Sequence, residues 1–270
     1  MTSRASSRSS SRTRAGDVAA DGAAYSLRAL TLNIGAAAPD RAERIIRWLR
    51  RRDDDVVVLT ETSWGAGSTL IAERLDAWGY SVVWTQPDAD RGVMLATRLP
   101  VRARLCADMS VTLPWRIAAV RLATEPSLAV VGVYMPSRER SPRNVEKKTY
   151  FIESFLASLR AMAPVTRNRL LIAGDYNAVS RRHWPAHQGF IECEYGLHEE
   201  LERLGFIAGH ELVNFAAQPH SWIGRTGNGY LYDYFHIGKA LHDRLRTCRY
   251  LHGTRESGIS DHAAVAMALA

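Results

Sequence analysis

Short apolar runs recur along this chain, and several of them stop on an amide or a carboxylate. Residues 30–32 lead into Asn33, residues 56–59 into Thr60-Glu61, and residues 170–173 into Gly174-Asp175-Tyr176-Asn177. Leu231-Tyr232 leads into Asp233, and Ser260-Asp261-His262 stands directly before the apolar residues 263–267. Apolar runs of this length read as buried strands. Polar side chains at the mouths of such strands are well placed for chemistry, because a rigid sheet holds the loops that carry them.

The spacing predicts a strand over 27–33 and a helix over 40–52, with Ala42, Ile45, Ile46 and Leu49 on one face and Pro39 at its first turn. A strand follows at 56–60, then a helix through Ile71 and Leu75 that ends near Gly79. Strands at 80–86, 92–98, 101–106, 115–122 and 127–134 come with no helix between them. A long helix over 144–162 carries Ile152, Phe155, Leu156 and Leu159 at helical spacing. After the strand that ends at Asp175 come a short helix through Leu197, Leu201 and Leu204 and strands at 231–237, 245–251 and 263–268. Runs of strands with few helices indicate α+β layers rather than a doubly wound sheet.

At 270 residues and 46% hydrophobic, the chain fits one globular domain over 25–270 behind a Ser/Arg-rich tail, residues 1–24, expected to be disordered. A dispensable tail is the favoured reading of that segment; a transit-like segment, a nucleic-acid-clinging arm and a mis-chosen start codon are the others. Cys106, Cys193 and Cys248 are odd in number and far apart, which excludes a disulfide framework and zinc-like spacing and points to a reducing, cytoplasmic compartment. Neither a membrane-length apolar run nor the apolar core of a secretory signal is present, so no membrane partner is expected. Net charge is +7, of which the tail supplies +2 through four arginines against two aspartates. A basic domain favours a polyanion, nucleic acid being the commonest, and a monomer is the expected state.

Glu61, Asp175, Asp233 and Asp261 would each be costly to bury unless paired or metal-bound. One hard divalent cation explains all four: Mg²⁺, with Mn²⁺ able to substitute. An oxygen-rich set with one histidine suits metal-assisted hydrolysis of a phosphate ester. The bland alternatives are strand-end caps for Asn33 and Glu61, a solvated strand position for Asp233, a core histidine for His262 and a packing role for Tyr134. The remaining histidines, such as His183, His198 and His236, show no ligand spacing and read as surface or packing residues.

The segments LTLNIG, VVLTET, VGVYMPS, LIAGDYN, YLYDYF and SGISDHAAV, in this order over residues 27 to 269, resemble the endonuclease/exonuclease/phosphatase superfamily, closest to its exonuclease III and AP-endonuclease branch. The resemblance implies a four-layered α/β/β/α sandwich of DNase I type. It implies that Glu61 binds metal, with Asn33 beside it and Asp261 as a second metal-side or network carboxylate. By the same resemblance Asp175 orients or deprotonates the attacking water, Asn177 steadies the phosphate, and Asp233 orients His262 on the scissile phosphate. Tyr134 matches the phosphate-contacting tyrosine of the repair-type branch, where other branches usually carry histidine.

For the substrate surface, Arg138, Arg140, Arg143, Lys147 and Lys148 are placed to track a phosphate backbone. Arg181, with Arg182 and Trp184, suits a loop that touches nucleic acid by charge and stacking. Trp222, Tyr230 and Tyr232, from a glycine-rich hairpin, match the region that holds a flipped abasic sugar in AP endonucleases. Two positions depart from the family: Gly35 stands where many members have an acidic residue, and Leu231 where arginine is frequent. The activity expected is a Mg²⁺-dependent DNA phosphodiesterase acting in repair. The alternatives are a phosphatase or phosphodiesterase for a small-molecule or lipid phosphate ester, and a non-catalytic nucleic-acid-binding module.

Overall fold

The structure, a computed structural model, describes residues 26–85, 90–138, 141–213 and 218–270; the predicted tail and Arg140 lie outside them. Along the chain run β1 (Leu27–Asn33), α1 (Pro39–Arg50), β2 (Val56–Thr62), α2 (Ala66–Ala77), β3 (Ser81–Thr85), β4 (Gly92–Thr97), β5 (Val101–Arg104), β6 (Ile117–Leu122) and β7 (Ala129–Tyr134). Then come α3 (Pro142–Ala161), α4 (Pro164–Arg167), β8 (Leu170–Asp175), α5 (Glu192–Arg203), β9 (Phe206–Ala208), α6 (Gly209–Val213), β10 (Trp222–Ile223), β11 (Gly229–Tyr230), β12 (Asp233–Gly238), β13 (Leu245–Leu251), α7 (Gly253–Glu256) and β14 (Ala264–Leu269).

Two six-stranded sheets result, in the orders β13-β14-β1-β2-β4-β3 and β5-β6-β7-β8-β12-β9, with β10 and β11 a separate hairpin. Strand alternation explains the layers. In β1 and β2, Leu27, Ala29, Val56 and Val58 face the second sheet, where they meet Ala118, Val120, Val130, Leu171, Ala173 and Phe235. Their neighbours Leu30, Leu32, Val57 and Leu59 face the other way, onto Ile45, Ile46 and Leu49 of α1 and Ile71 and Leu75 of α2. The second sheet repeats the device: Val131, Val133, Leu170 and Ile172 pack under Phe151, Phe155 and Leu159 of α3 and Leu197 and Leu201 of α5. The expected α/β/β/α sandwich is therefore present, and its strands read as continuous apolar runs because both faces are covered. Each fully buried aliphatic side chain contributes about 1.5–3 kcal/mol. Among the described residues, no helix is long and apolar enough to cross a membrane.

Element boundaries differ from expectation where local chemistry intervenes. The strand predicted over 101–106 stops at Arg104, before a 3-10 turn at Cys106–Asp108. The strand predicted from 115 begins at Ile117, because Pro114–Arg116 forms another such turn, with the proline's fixed φ at its start. The helix expected through Leu204 ends at Arg203, just before Gly205 takes φ 89°. The long helix starts earlier than predicted, capped by the Ser141 hydroxyl, which accepts the Asn144 N–H at 3.1 Å.

One glycine decides whether the central strand can deliver its aspartate. Gly174 has φ 144°, and a Cβ there would lie 1.9 Å from the Val133 carbonyl oxygen of the adjacent strand. Backbone on a paired strand cannot yield. Gly174→Ala is expected to destabilise the fold by at least about 2–3 kcal/mol, measurable as a lower denaturant midpoint. A variant within 0.5 kcal/mol of wild type, the margin usual for an innocuous surface change, would contradict the packing described.

Candidate active site

Register brings the predicted residues together. Tyr134 of β7 lies opposite Asp175 of β8, and Asp175 lies opposite Asp233 of β12, so three functional side chains form a row across the second sheet. In the first sheet Asn33 ends β1 opposite Thr60 of β2. Glu61 follows with φ 54°, where the pairing of β2 with β4 shifts register, and this turns its carboxylate out of the strand pattern. His262 precedes β14 and bridges to Trp222 of the hairpin. Both sheets thus present the same rim.

Hydrogen bonds stitch the two sheets across that rim. The Asn33 side-chain amide donates to Glu61 Oε1 at 2.9 Å and to Asp175 Oδ2 at 2.8 Å. Its carbonyl oxygen accepts from the Gly35 N–H at 2.8 Å, so Asn33 bridges the carboxylates in this arrangement rather than facing a cation. Gly35, with φ 51°, holds the Asn33 side chain through its backbone N–H. Asp175 Oδ1 accepts the Asn177 N–H at 2.8 Å; Asn177 itself has φ 47° and lines the cavity. Ser260 donates to the Asn33 carbonyl at 2.6 Å and accepts the His262 N–H at 3.0 Å, fixing the last motif to the end of β1.

His262 Nδ1 and Asp233 Oδ2 lie 2.6 Å apart, with both residues buried. Burial works against the imidazolium, but the charge and hydrogen bond of Asp233, reinforced by Asp175 and Asp261, outweigh it and push the pKa up to about 10. Burial, then the charges of Asp233 and Glu61, push Asp175 up to about 7, with His262 acting the other way. Tyr134 is raised well above its ordinary value by burial and by the charges of Glu61 and Asp175, so its phenol stays a neutral donor.

These shifts carry a stability prediction. A group with a raised pKa holds its proton more tightly when folded. The His262 contribution is complete below its ordinary 6.5 and is lost as pH rises toward about 10. Asp175, raised from 3.8 to about 7, acts in the same direction over a lower window. The thermal midpoint is expected to fall between about pH 7 and pH 10, less steeply in His262→Gln. Equal slopes in the two proteins would count against the buried ion pair.

Glu61, Tyr134, Asn177, Asp261, His262, Trp222 and Tyr232 line a cavity of about 550 Å³. Asp175, Asp233 and His262 bring one possible ligand atom each within 4.8 Å of one another. A protonated imidazole is no ligand, so that trio reads better as a proton network, with Asp175 facing Glu61 through Asn33. For a cation the accessible oxygen donors are Glu61 and Asp261. The set fits a hard divalent ion, since three carboxylates converge here on a single imidazolium and added positive charge relieves their repulsion.

Of the predicted substrate contacts, Arg138, Tyr230 and Tyr232 line a neighbouring cavity of about 410 Å³, which shares Asn177 and Trp222 with the first. His187, Tyr230, Tyr232 and Trp222 form a near-parallel stack along it. Arg138 donates to Glu194 Oε1 at 3.0 Å and to the Gly189 carbonyl. Arg181 and Trp184 line neither cavity: Arg181 is held by Glu192 and Glu199, which neutralise it, and Trp184 projects into solvent, 76% exposed. Lys148 is likewise no backbone-tracking cation, being buried against Glu194 at 2.6 Å and donating to the Asn177 carbonyl. The histidine reading holds for packing: His183, His198, His210 and His236 are buried. His183 Nε2 accepts the Leu231 N–H at 3.1 Å, so the segment at this departure from the family is tied down by its backbone.

Sequence reasoning missed Asp90 and Arg116, which also line the main cavity. Asp90 stands just before β4, and Arg116 in a 3-10 turn where the pattern marks only the start of a strand, so no local signal picks them out.

A rim where an imidazole held by a carboxylate faces further carboxylates is built to act on phosphoric esters, and this sandwich places it at the mouths of two facing sheets. The chain matches the Endonuclease/Exonuclease/phosphatase family over residues 30–262 and belongs to it, as an enzyme of the phosphoric ester hydrolase class. No curated protein matches it in sequence. Solved structures share its fold. An AP endonuclease from Archaeoglobus fulgidus superposes with TM-score 0.75 at 17% identity, over 89% of this chain and 98% of that one. The 3′-5′ exonuclease NExo from Neisseria meningitidis gives TM-score 0.74 at 19% identity, over 89% and 98% of the two chains. A structure of the 3′ phosphatase NExo from Neisseria bound to product DNA hairpin gives TM-score 0.72 at 20% identity, over 90% and 99%.

Proposed function

We propose that the protein is a Mg²⁺-dependent phosphodiesterase that cleaves DNA in repair, in the manner of exonuclease III and AP endonucleases. The observation that carries the proposal is the His262–Asp233 pair at 2.6 Å, set beside Asp175 and opening onto a cavity that also holds Glu61 and Tyr134. Glu61 and Asp261 would hold the cation, which would supply neutralisation of charge on the phosphate oxygens.

The chain's own groups do the rest. Asp175, buried and anchored by Asn33 and Asn177, takes the proton of the attacking water. His262 donates from its free Nε2 to a phosphate oxygen, and Asp233 fixes its tautomer and keeps it cationic. Tyr134 donates from its phenol, uncharged, on the same side as Glu61. Asn177, with its backbone locked at positive φ, steadies the phosphate. Preorganised donors of this kind lower the barrier because they need not reorient as charge develops. Trp222, Tyr230 and Tyr232 flank the sugar and base beside the scissile phosphate. DNA as the substrate draws support from the basic charge of the chain and from a fold shared with proteins described as acting on or binding DNA.

The test is Mg²⁺-dependent cleavage of a duplex carrying one abasic site, beside intact duplex and single strand, with and without chelator. Chelator-sensitive incision of DNA is the expected result. A folded, metal-supplied protein that leaves all three intact but hydrolyses small phosphate esters would replace DNA with the small-molecule alternative.

A further inference from the structure

The inward stripe of α3 carries one charge. Phe151, Ile152, Phe155 and Leu159 follow helical spacing into the core under the second sheet, and Lys148 continues that stripe toward the helix start. Its side chain is 1% exposed. A lysine is almost never fully buried unless paired. Here the partner is Glu194 of α5, equally buried, whose Oε1 lies 2.6 Å from Nζ. The same oxygen accepts from Arg138 Nε at 3.0 Å, and Oε2 accepts the Ile191 N–H at 2.8 Å. The carboxylate is therefore fixed from three sides, and it fixes the ammonium in turn.

That ammonium makes a further bond, donating to the Asn177 carbonyl at 2.6 Å. Asn177 stands in the left-handed region, φ 47°, where a residue with a Cβ stays only if its surroundings hold it. They hold it at both ends. Its N–H donates to Asp175 Oδ1 at 2.8 Å, its side-chain amide donates to the Met135 carbonyl at 3.1 Å, and its own carbonyl accepts from Lys148. Packing alone calls for no cation here, since replacing a buried ion pair by apolar side chains is often neutral or stabilising. An apolar side chain could not hold that carbonyl. Asn177 lines both cavities and Lys148 lines neither, so an effect of Lys148 on the phosphate passes through Asn177.

We propose that Lys148 is a positioning residue: anchored by Glu194, it holds the Asn177 peptide so that the side chain stays at the cavity wall, facing the scissile phosphate. This rests on the proposed mechanism, in which Asn177 steadies the phosphate, and deepens it.

The test is a double-mutant cycle, read as steady-state cleavage of the abasic-site duplex. Lys148→Met is uncharged and of similar length. It leaves Glu194 paired with Arg138, so the fold is expected to persist by circular dichroism. The variant is expected to lower kcat about 10- to 100-fold, the range for a residue that orients a functional group from behind, with KM unchanged. Asn177→Gly removes the amide and keeps the positive φ without steric cost. In that background Lys148→Met is expected to lower kcat by no more than about twofold further. An equal loss in both backgrounds would overturn the proposal and leave Lys148 a structural lysine. So would a Lys148→Met enzyme with the wild-type kcat. If Lys148→Met does not fold, the same outcomes are read from Lys148→Gln, which keeps a neutral donor for Glu194 but is too short for the carbonyl. A wild type that cleaves a small phosphate ester and no duplex would overturn the DNA reading, and the cycle run on that ester would still decide the role of Lys148. A wild type that hydrolyses neither would overturn both.

Discussion

Asp175→Asn is expected to lower kcat about 10⁴-fold, the upper end of what a positioned proton acceptor contributes, while DNA binding and the folded state persist. The size follows from position. Asp175 is fully buried, is held at both oxygens by N–H donors, and is the carboxylate whose burial and neighbours bring its pKa to about 7. An amide cannot take the water's proton. The fold survives because the substitution also removes a negative charge lying near Asp233 and Glu61. That gain offsets the Asn33 N–H left without its acceptor. Single-turnover cleavage, with circular dichroism and a binding isotherm on the same preparation, checks all three statements. Activity within tenfold of wild type would remove Asp175 from its proposed role.

Asp233→Asn should cost about 10²–10³-fold in kcat, within the range for a group that acts through a donor on the phosphate. It should also move the alkaline limb of the rate profile. Asp233 is the main cause that raises His262, so its removal lets the imidazole lose its proton at lower pH. The variant's rate is then expected to fall near neutral pH, where the wild type holds to near pH 10. A merely structural role for Asp233 would lower rates at every pH without shifting the limb. Among the described residues its second oxygen, Oδ1, has no hydrogen-bond partner, which marks the residue as placed for charge rather than for packing.

Much of this rim was legible in the chain because strand ends carry their own signal. Apolar runs give the strands, and the polar residue that stops each run gives the site, as with Leu170–Asp175 and Asp233. What the pattern could not give was pairing. Nothing local says that β8 lies between β7 and β12, yet that order sets Tyr134, Asp175 and Asp233 in one row. The basic residues show the limit most clearly. Arg181 and Lys148 looked equally available in sequence, but glutamates brought in by α5 neutralise both. Arg116, hidden in a turn before a strand, gains its significance only from Asp90 and Tyr134, which the fold places beside it.

In the proposed reaction the oxygen of a water that gives its proton to Asp175 becomes bonded to phosphorus as the P–O ester bond breaks. The most direct measurement is cleavage of an end-labelled DNA duplex with Mg²⁺ in water enriched in heavy oxygen, followed by mass analysis of the product carrying the phosphate. One heavy oxygen in each newly formed phosphate, with no label and no cleavage when a chelator is present, is the predicted result. Cleavage without label in the phosphate, or cleavage unaffected by the chelator, would contradict it.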